Sequence, residues 1–137
     1  MSKAETPKYK LLIADDDQDN VKFLEYYLKR NFNVSVCTNV ASFYEAINNI
    51  HFDIILMDIA LKDYKNGLEL TQELKSDPMY SDIPIVCYSG HVLNRDRINA
   101  MKAGCDMFIG KPASNELLLK SLMSVLQKNK MRSSNIN

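Results

Sequence analysis

The chain has 137 residues, enough for one domain with a real core and short for two. Its 17 Lys+Arg balance 17 Asp+Glu, so no global charge points to nucleic acid or to an anionic membrane, and any functional charge has to be local. No apolar run has the length of a signal peptide or a membrane span, which predicts a soluble, cytoplasmic protein with no membrane partner.

After a polar start, "YKLLIA" reads as a first strand and ends in Asp15, Asp16 and Asp17. Val21, Leu24, Tyr27 and Leu28 then recur at helical spacing, "NVSVC" reads as a second strand, and Phe43, Ala46, Ile47 and Ile50 form a second helical stripe. "FDIILM" is the third strand and delivers Asp58. Leu68, Leu70 and Leu74 mark the third helix, which Asp77-Pro78 ends. "IPIVCYS" is the fourth strand and closes on Ser89. Ile98 and Met101 mark the fourth helix, with Gly104 at its left-handed stop. "DMFIG" leads into Lys111, and Leu117, Leu118, Ser121, Leu122 and Val125 mark the fifth helix. Each stripe is expected to face the core. The domain is expected to span 8–128, with flexible ends at 1–7 and 129–137.

Cys37, Cys87 and Cys105 are odd in number, lack CxxC spacing and lie in or beside apolar runs, so they read as reduced and buried. His51 and His91 are too few and too scattered for a zinc site.

Strict alternation of strands and helices predicts a doubly wound α/β fold, a parallel sheet covered on both faces. Ligands of such sheets sit beyond the carboxyl ends of the strands. The residues at and just past those ends therefore matter most: Asp15, Asp16 and Asp17, then Asp58, Ser89 and Lys111. Asp15, Asp16 and Asp58 form an acidic pocket of hard oxygens that suits Mg²⁺. The Ser89 hydroxyl and Lys111 ammonium offer a donor and a cation to a tetrahedral anion. A divalent cation on one side and Lys plus Ser on the other would hold a phosphoryl group and offset the repulsion among the carboxylates. Asp17 reads better as a helix cap than as a ligand.

The stretches "KLLIADDDQDN", "FDIILMDIALKDYKNGLEL", "DPMYSDIPIVCYSGH", "DRINAMKAGCDMFIGKP" and "NELLLKSL", in this order and spacing, resemble the receiver domain of two-component response regulators, the CheY-like superfamily. The resemblance implies five parallel strands in the order 2-1-3-4-5 with five helices. It also implies that Asp58 is the phospho-acceptor, taking a phosphoryl group from a sensor histidine kinase or a histidine phosphotransfer protein. Asp16, Asp58 and the Ala60 backbone carbonyl match the Mg²⁺ ligands, with Asp15 acting through water. Ser89 and Lys111 match the residues that engage the phosphoryl oxygens, Ser89 and Phe108 match the switch pair, and Lys111-Pro112 resembles the family's cis peptide. Phosphorylation would then remodel the face built from helix four, strand five and helix five, for a downstream protein target. On this reading the chain catalyses only its own phosphotransfer and dephosphorylation and is not otherwise an enzyme.

The loop after Asp58, "IALKDYKNG", departs from the family by one extra residue and by Lys62 where a proline is usual. Ala60 and His91 match positions that flank the attacking water in relatives. The chain ends soon after its fifth helix, so a stand-alone receiver or one cut from a hybrid kinase is expected, with no nucleic-acid footprint. An FMN carrier would need a glycine- and hydroxyl-rich loop after strand one, where this chain has carboxylates. A dehalogenase-type phosphatase would need a second Asp at Ala60. A receiver-like scaffold that is never phosphorylated remains as the alternative, and the filled polar positions argue against it.

Overall fold

In the computed structural model, residues 8–90 and 93–134 are described. The elements alternate as β1 (Tyr9–Ala14), α1 (Gln18–Leu28), β2 (Phe32–Cys37), α2 (Val40–Asn49), β3 (Ile54–Asp58), α3 (Gly67–Ser76), β4 (Ile85–Ser89), α4 (Asn94–Ala103), β5 (Met107–Gly110) and α5 (Asn115–Ser134). All strand pairs are parallel and the order is β2-β1-β3-β4-β5, as the resemblance implies.

β3 and β4 are buried along their whole length, which is why their sequences are apolar runs without alternation. Alternate residues feed two separate cores. Leu12, Ile55, Met57, Ile85 and Cys87 pack with Phe43 and Ile47 of α2 and Leu70 and Leu74 of α3. On the other face Leu11, Ile13, Ile54, Leu56 and Val86 pack with Val21, Leu24 and Leu28 of α1 and Leu118, Leu122 and Val125 of α5. The three cysteines are free and buried, and burial pushes the Cys37 thiol up to about 12.

Local chemistry sets the helix starts. Asp17 caps α1 by accepting from Asn20 N–H at 3.2 Å. Asn39 with Ser42, and Asn66 with Glu69, form reciprocal capping boxes on α2 and α3. Gly104 ends α4 with φ of +103°, the left-handed conformation that glycine adopts without strain.

Four expectations need correction. Ile98 and Met101 do not face the core: each is 51% exposed, and Ala100 is the buried residue of α4. Ile50 lies past the last turn of α2 and Leu117 on the outer side of α5, and both are exposed. α5 itself runs through Ser134. Residues 1–7 and 135–137 lie outside the described residues.

Candidate functional site

Parallel register carries the strand-end residues to one edge. Ala14 lies beside Met57, Asp58 beside Tyr88, and Ser89 beside Gly110. Asp15, Asp58, Ser89 and Lys111 therefore converge although the chain separates them widely, and the first three are buried. Lys111 Nζ donates to Asp15 Oδ2 at 3.3 Å and to Asp58 Oδ2 at 3.2 Å. The Lys111 N–H donates to the Ser89 carbonyl at 2.8 Å, which ties the ends of β4 and β5 together. Lys111-Pro112 is a cis peptide.

Backbone amides hold each carboxylate. Asp17 N–H donates to Asp15 Oδ1 at 3.0 Å, Ala60 N–H to Asp58 Oδ1 at 2.9 Å, and Lys62 N–H to Asp16 Oδ2 at 3.0 Å. The last bond joins the β3–α3 loop to the acidic pair. That loop is tied in turn to α2 and α3: Asp63 Oδ2 accepts from Val40 N–H at 2.9 Å, and Lys65 Nζ donates to Tyr44 Oη of α2 at 2.7 Å and to Glu73 Oε2 of α3 at 2.6 Å. Where the loop enters α3, a Cβ on Gly67 would stand 2.1 Å from the Asp58 carbonyl oxygen, so the close approach requires glycine.

Burial raises the carboxyl of Asp58, and neither the Ala60 amide nor the Lys111 charge offsets it fully. Asp15 goes the other way. Burial pushes it up, but hydrogen bonds from Tyr88, Asp17 N–H and Asn20, together with the Lys111 charge, hold it below the usual carboxylate range.

Asp15, Asp16 and Asp58 bring ligand oxygens within 4.8 Å of one another, so they can share a cation. The donors are all hard oxygens, which fits Mg²⁺. Phe108 is buried among the α2–α3–α4 core residues, with the Arg97 guanidinium 5.1 Å over its ring. Asp17 is the α1 cap and His91 lies outside the described residues.

Two residues at the site go unread in the sequence. Tyr88 is 2% exposed, and its hydroxyl donates to Asp15 Oδ2 at 2.5 Å; Asn20 Nδ2 donates to the same oxygen at 2.8 Å. Asn20 comes soon enough after the acidic run to have been a candidate. Tyr88 sits inside an apolar strand and carries no such signal.

Residues 11–123 match the model of the response regulator receiver domain. The chain is 32% identical over 124 residues to the 3',5'-cyclic-nucleotide phosphodiesterase regA of Dictyostelium discoideum, covering 88% of this chain and 16% of that protein. It is 29% identical over 119 residues to the polar-differentiation response regulator DivK of Brucella ovis, covering 85% of this chain and 94% of the relative. Against several other curated relatives it spans about half of their length. A CheY-like receiver domain protein from Methanospirillum hungatei JF-1 has the same fold, with a TM-score of 0.83 at 23% identity over 93% of this chain and 99% of that one. Among the described residues no helix is long and apolar enough to cross a membrane. With that match over most of its length, the chain belongs to the receiver domains of two-component response regulators, a family of phosphorylation-regulated signalling switches.

Proposed function

We propose that Asp58 accepts a phosphoryl group from a phosphohistidine of a sensor histidine kinase or histidine phosphotransfer protein. An Asp58 carboxylate oxygen forms the new O–P bond as the donor's N–P bond breaks, and the electron pair returns to the imidazole. The observation that carries this reading is the convergence on Asp58 of a lysine at 3.2 Å and of two further carboxylates within metal-sharing distance.

Charge opposes attack by a carboxylate on an anionic group, so positioning and electrostatic stabilisation do most of the catalysis. Asp16, Asp58 and the Ala60 carbonyl would hold Mg²⁺ directly and Asp15 through water. Bound there, Mg²⁺ would supply positive charge to the phosphoryl oxygens. Lys111 neutralises charge from the other side, and Ser89 offers a hydroxyl donor. The Ala60 amide orients Asp58 through Oδ1 and leaves Oδ2 toward Lys111.

The output would be a change in the α4–β5–α5 face for a protein target. Phosphoryl oxygens favour an inward Ser89 and Lys111, and Phe108 of β5 rotates into the space that Ser89 vacates; a modification shifts an equilibrium only through such differential contacts. Exposed Leu93, Ile98 and Met101 around α4, and Leu117 on α5, give that face apolar groups for a partner. The location proposed for this signalling is the cytoplasm.

Intact-protein mass after incubation with Mg²⁺ and acetyl phosphate tests the chemistry. One phosphoryl adduct, dependent on Mg²⁺ and absent from Asp58→Asn, is expected. A folded chain that gains none from acetyl phosphate and does not respond to beryllofluoride would favour the scaffold reading. Backbone amide shifts with beryllofluoride test the output, and changes confined to the pocket would refute it.

A further inference from the structure

Tyr88 touches both halves of the site. Its hydroxyl donates to Asp15 Oδ2 at 2.5 Å, while the Lys111 ammonium lies 4.2 Å from the centroid of its ring. Asn20 Nδ2 braces the pair, donating to Asp15 Oδ2 at 2.8 Å and to Tyr88 Oη at 3.0 Å. A phenol buried this deeply is costly unless its hydroxyl is bonded, and here the bond goes to a carboxylate of the acidic cluster.

Acceptor capacity shows what this does to Asp15. A carboxylate oxygen has two lone-pair directions. Among the described residues, Oδ2 already receives Tyr88, Asn20 and Lys111, whereas Oδ1 receives the Asp17 amide. Asp15 therefore keeps its spare capacity on Oδ1, and Tyr88 helps fix which way that oxygen faces. Lys111 presents the complementary problem. Its stem is long and flexible and its side chain is 27% exposed, so without a contact along its path the ammonium would sample solvent. The ring face supplies that contact by cation–π attraction.

We propose that Tyr88 is a positioning residue of the phosphoryl site: its hydroxyl, with Asn20, orients Asp15 toward the cation, and its ring holds the Lys111 ammonium between Asp15 and Asp58. This rests on the phosphoryl-acceptor reading above. The two functions separate by substitution, because Tyr88→Phe keeps the ring and removes the hydroxyl, whereas Tyr88→Leu removes both.

Three readouts on the full chain test it, with far-UV circular dichroism establishing that each variant is folded. Calorimetric titration with MgCl₂, in the absence of any phosphodonor, should show binding weakened roughly tenfold in Tyr88→Phe, the size common for groups that orient a metal ligand. Asn20→Ala should reproduce the direction of that loss. At saturating Mg²⁺, phosphorylation by acetyl phosphate should be about tenfold slower in Tyr88→Leu than in Tyr88→Phe, within the range of a partly desolvated cation–π contact. Independently of metal, the ring current of Tyr88 should shift the Lys111 CεH₂ proton resonances upfield in wild type and in Tyr88→Phe, but not in Tyr88→Leu.

Unchanged Mg²⁺ binding in Tyr88→Phe overturns the role of the hydroxyl. A Lys111 resonance and saturated rate that are the same in Tyr88→Leu as in Tyr88→Phe overturn the role of the ring. A wild-type chain that takes no phosphoryl group defeats the phosphoryl-acceptor reading instead, and in that case the calorimetric and resonance readouts still decide whether Tyr88 positions Asp15 and Lys111.

Discussion

α2 and α4 each run for ten residues against the same face of the sheet, yet they are attached differently. α2 starts from the Asn39–Ser42 capping box and buries Val40, Phe43 and Ile47. α4 has Leu93 in its N-cap position, whose apolar side chain accepts no hydrogen bond; Asp96 Oδ2 accepts from the Leu93 N–H at 3.2 Å, and the helix buries Ala100 alone. At about 1.5–3 kcal/mol for each large apolar side chain buried, α2 is held far more firmly. The apolar groups near α4 that could have anchored it, Leu93, Ile98 and Met101, face outward instead. A helix held by little apolar area can be repositioned at low cost, and its outward side chains can serve a partner.

The largest effect should come from cutting the better-held helix. Phe43→Ala should destabilise by about 3–5 kcal/mol in urea unfolding, and Ile98→Ala by no more than about 0.5 kcal/mol. Equal losses would break the comparison.

Gly67→Ala should come next, at about 1–3 kcal/mol, because the added methyl meets the Asp58 carbonyl where α3 begins. Alanine is the better helix former, so a loss isolates the clash. The same variant should be phosphorylated more slowly, since the displaced backbone carries Asp58.

A subtler effect separates the two buried carboxylates. Asp58 has a folded pKa above its ordinary 3.8, so folding favours its protonated form; that contribution is present below the unfolded pKa and lost as pH rises through the folded one. Asp58→Asn should therefore be more stable than wild type at pH 7 in EDTA, with the difference fading toward pH 4. Asp15 is held below 3.8, so its contribution is present above that value and lost as pH falls. Asp15→Asn should accordingly lose stability at pH 7. Urea midpoints across this range check both signs, and the same sign for both would contradict the electrostatic picture.

The smallest effect returns to α4. Arg97→Ala removes the guanidinium stacked over Phe108 and should cost about 0.5–1 kcal/mol, while amide exchange in α4 should quicken more than in α2. Equal acceleration in both helices would mean that Arg97 does not tie α4 to β5.

Much of this molecule is written locally. β3, β4 and the last four residues of β1 are legible because strand segments buried on both faces must be apolar throughout, and their ends are legible because a polar residue stops each run. Once the strands are parallel, their ends share one edge, so Asp15, Asp16, Asp58, Ser89 and Lys111 could be grouped from the sequence. The outward turn of Ile98 and Met101 could not be read, because α4 lies near the edge strand β5 and the sheet covers too little of it to bury a stripe. Nor could Tyr88. A tyrosine in an apolar strand reads as core, and its partners Asp15, Asn20 and Lys111 come from three other places in the chain. Sequence determined the order of the elements and the chemistry at their ends through side-chain polarity, a property each residue carries alone. Tertiary structure decided which carboxylate oxygen is already occupied, where the lysine rests and which helix is lightly held, because those depend on distances between segments far apart in the chain.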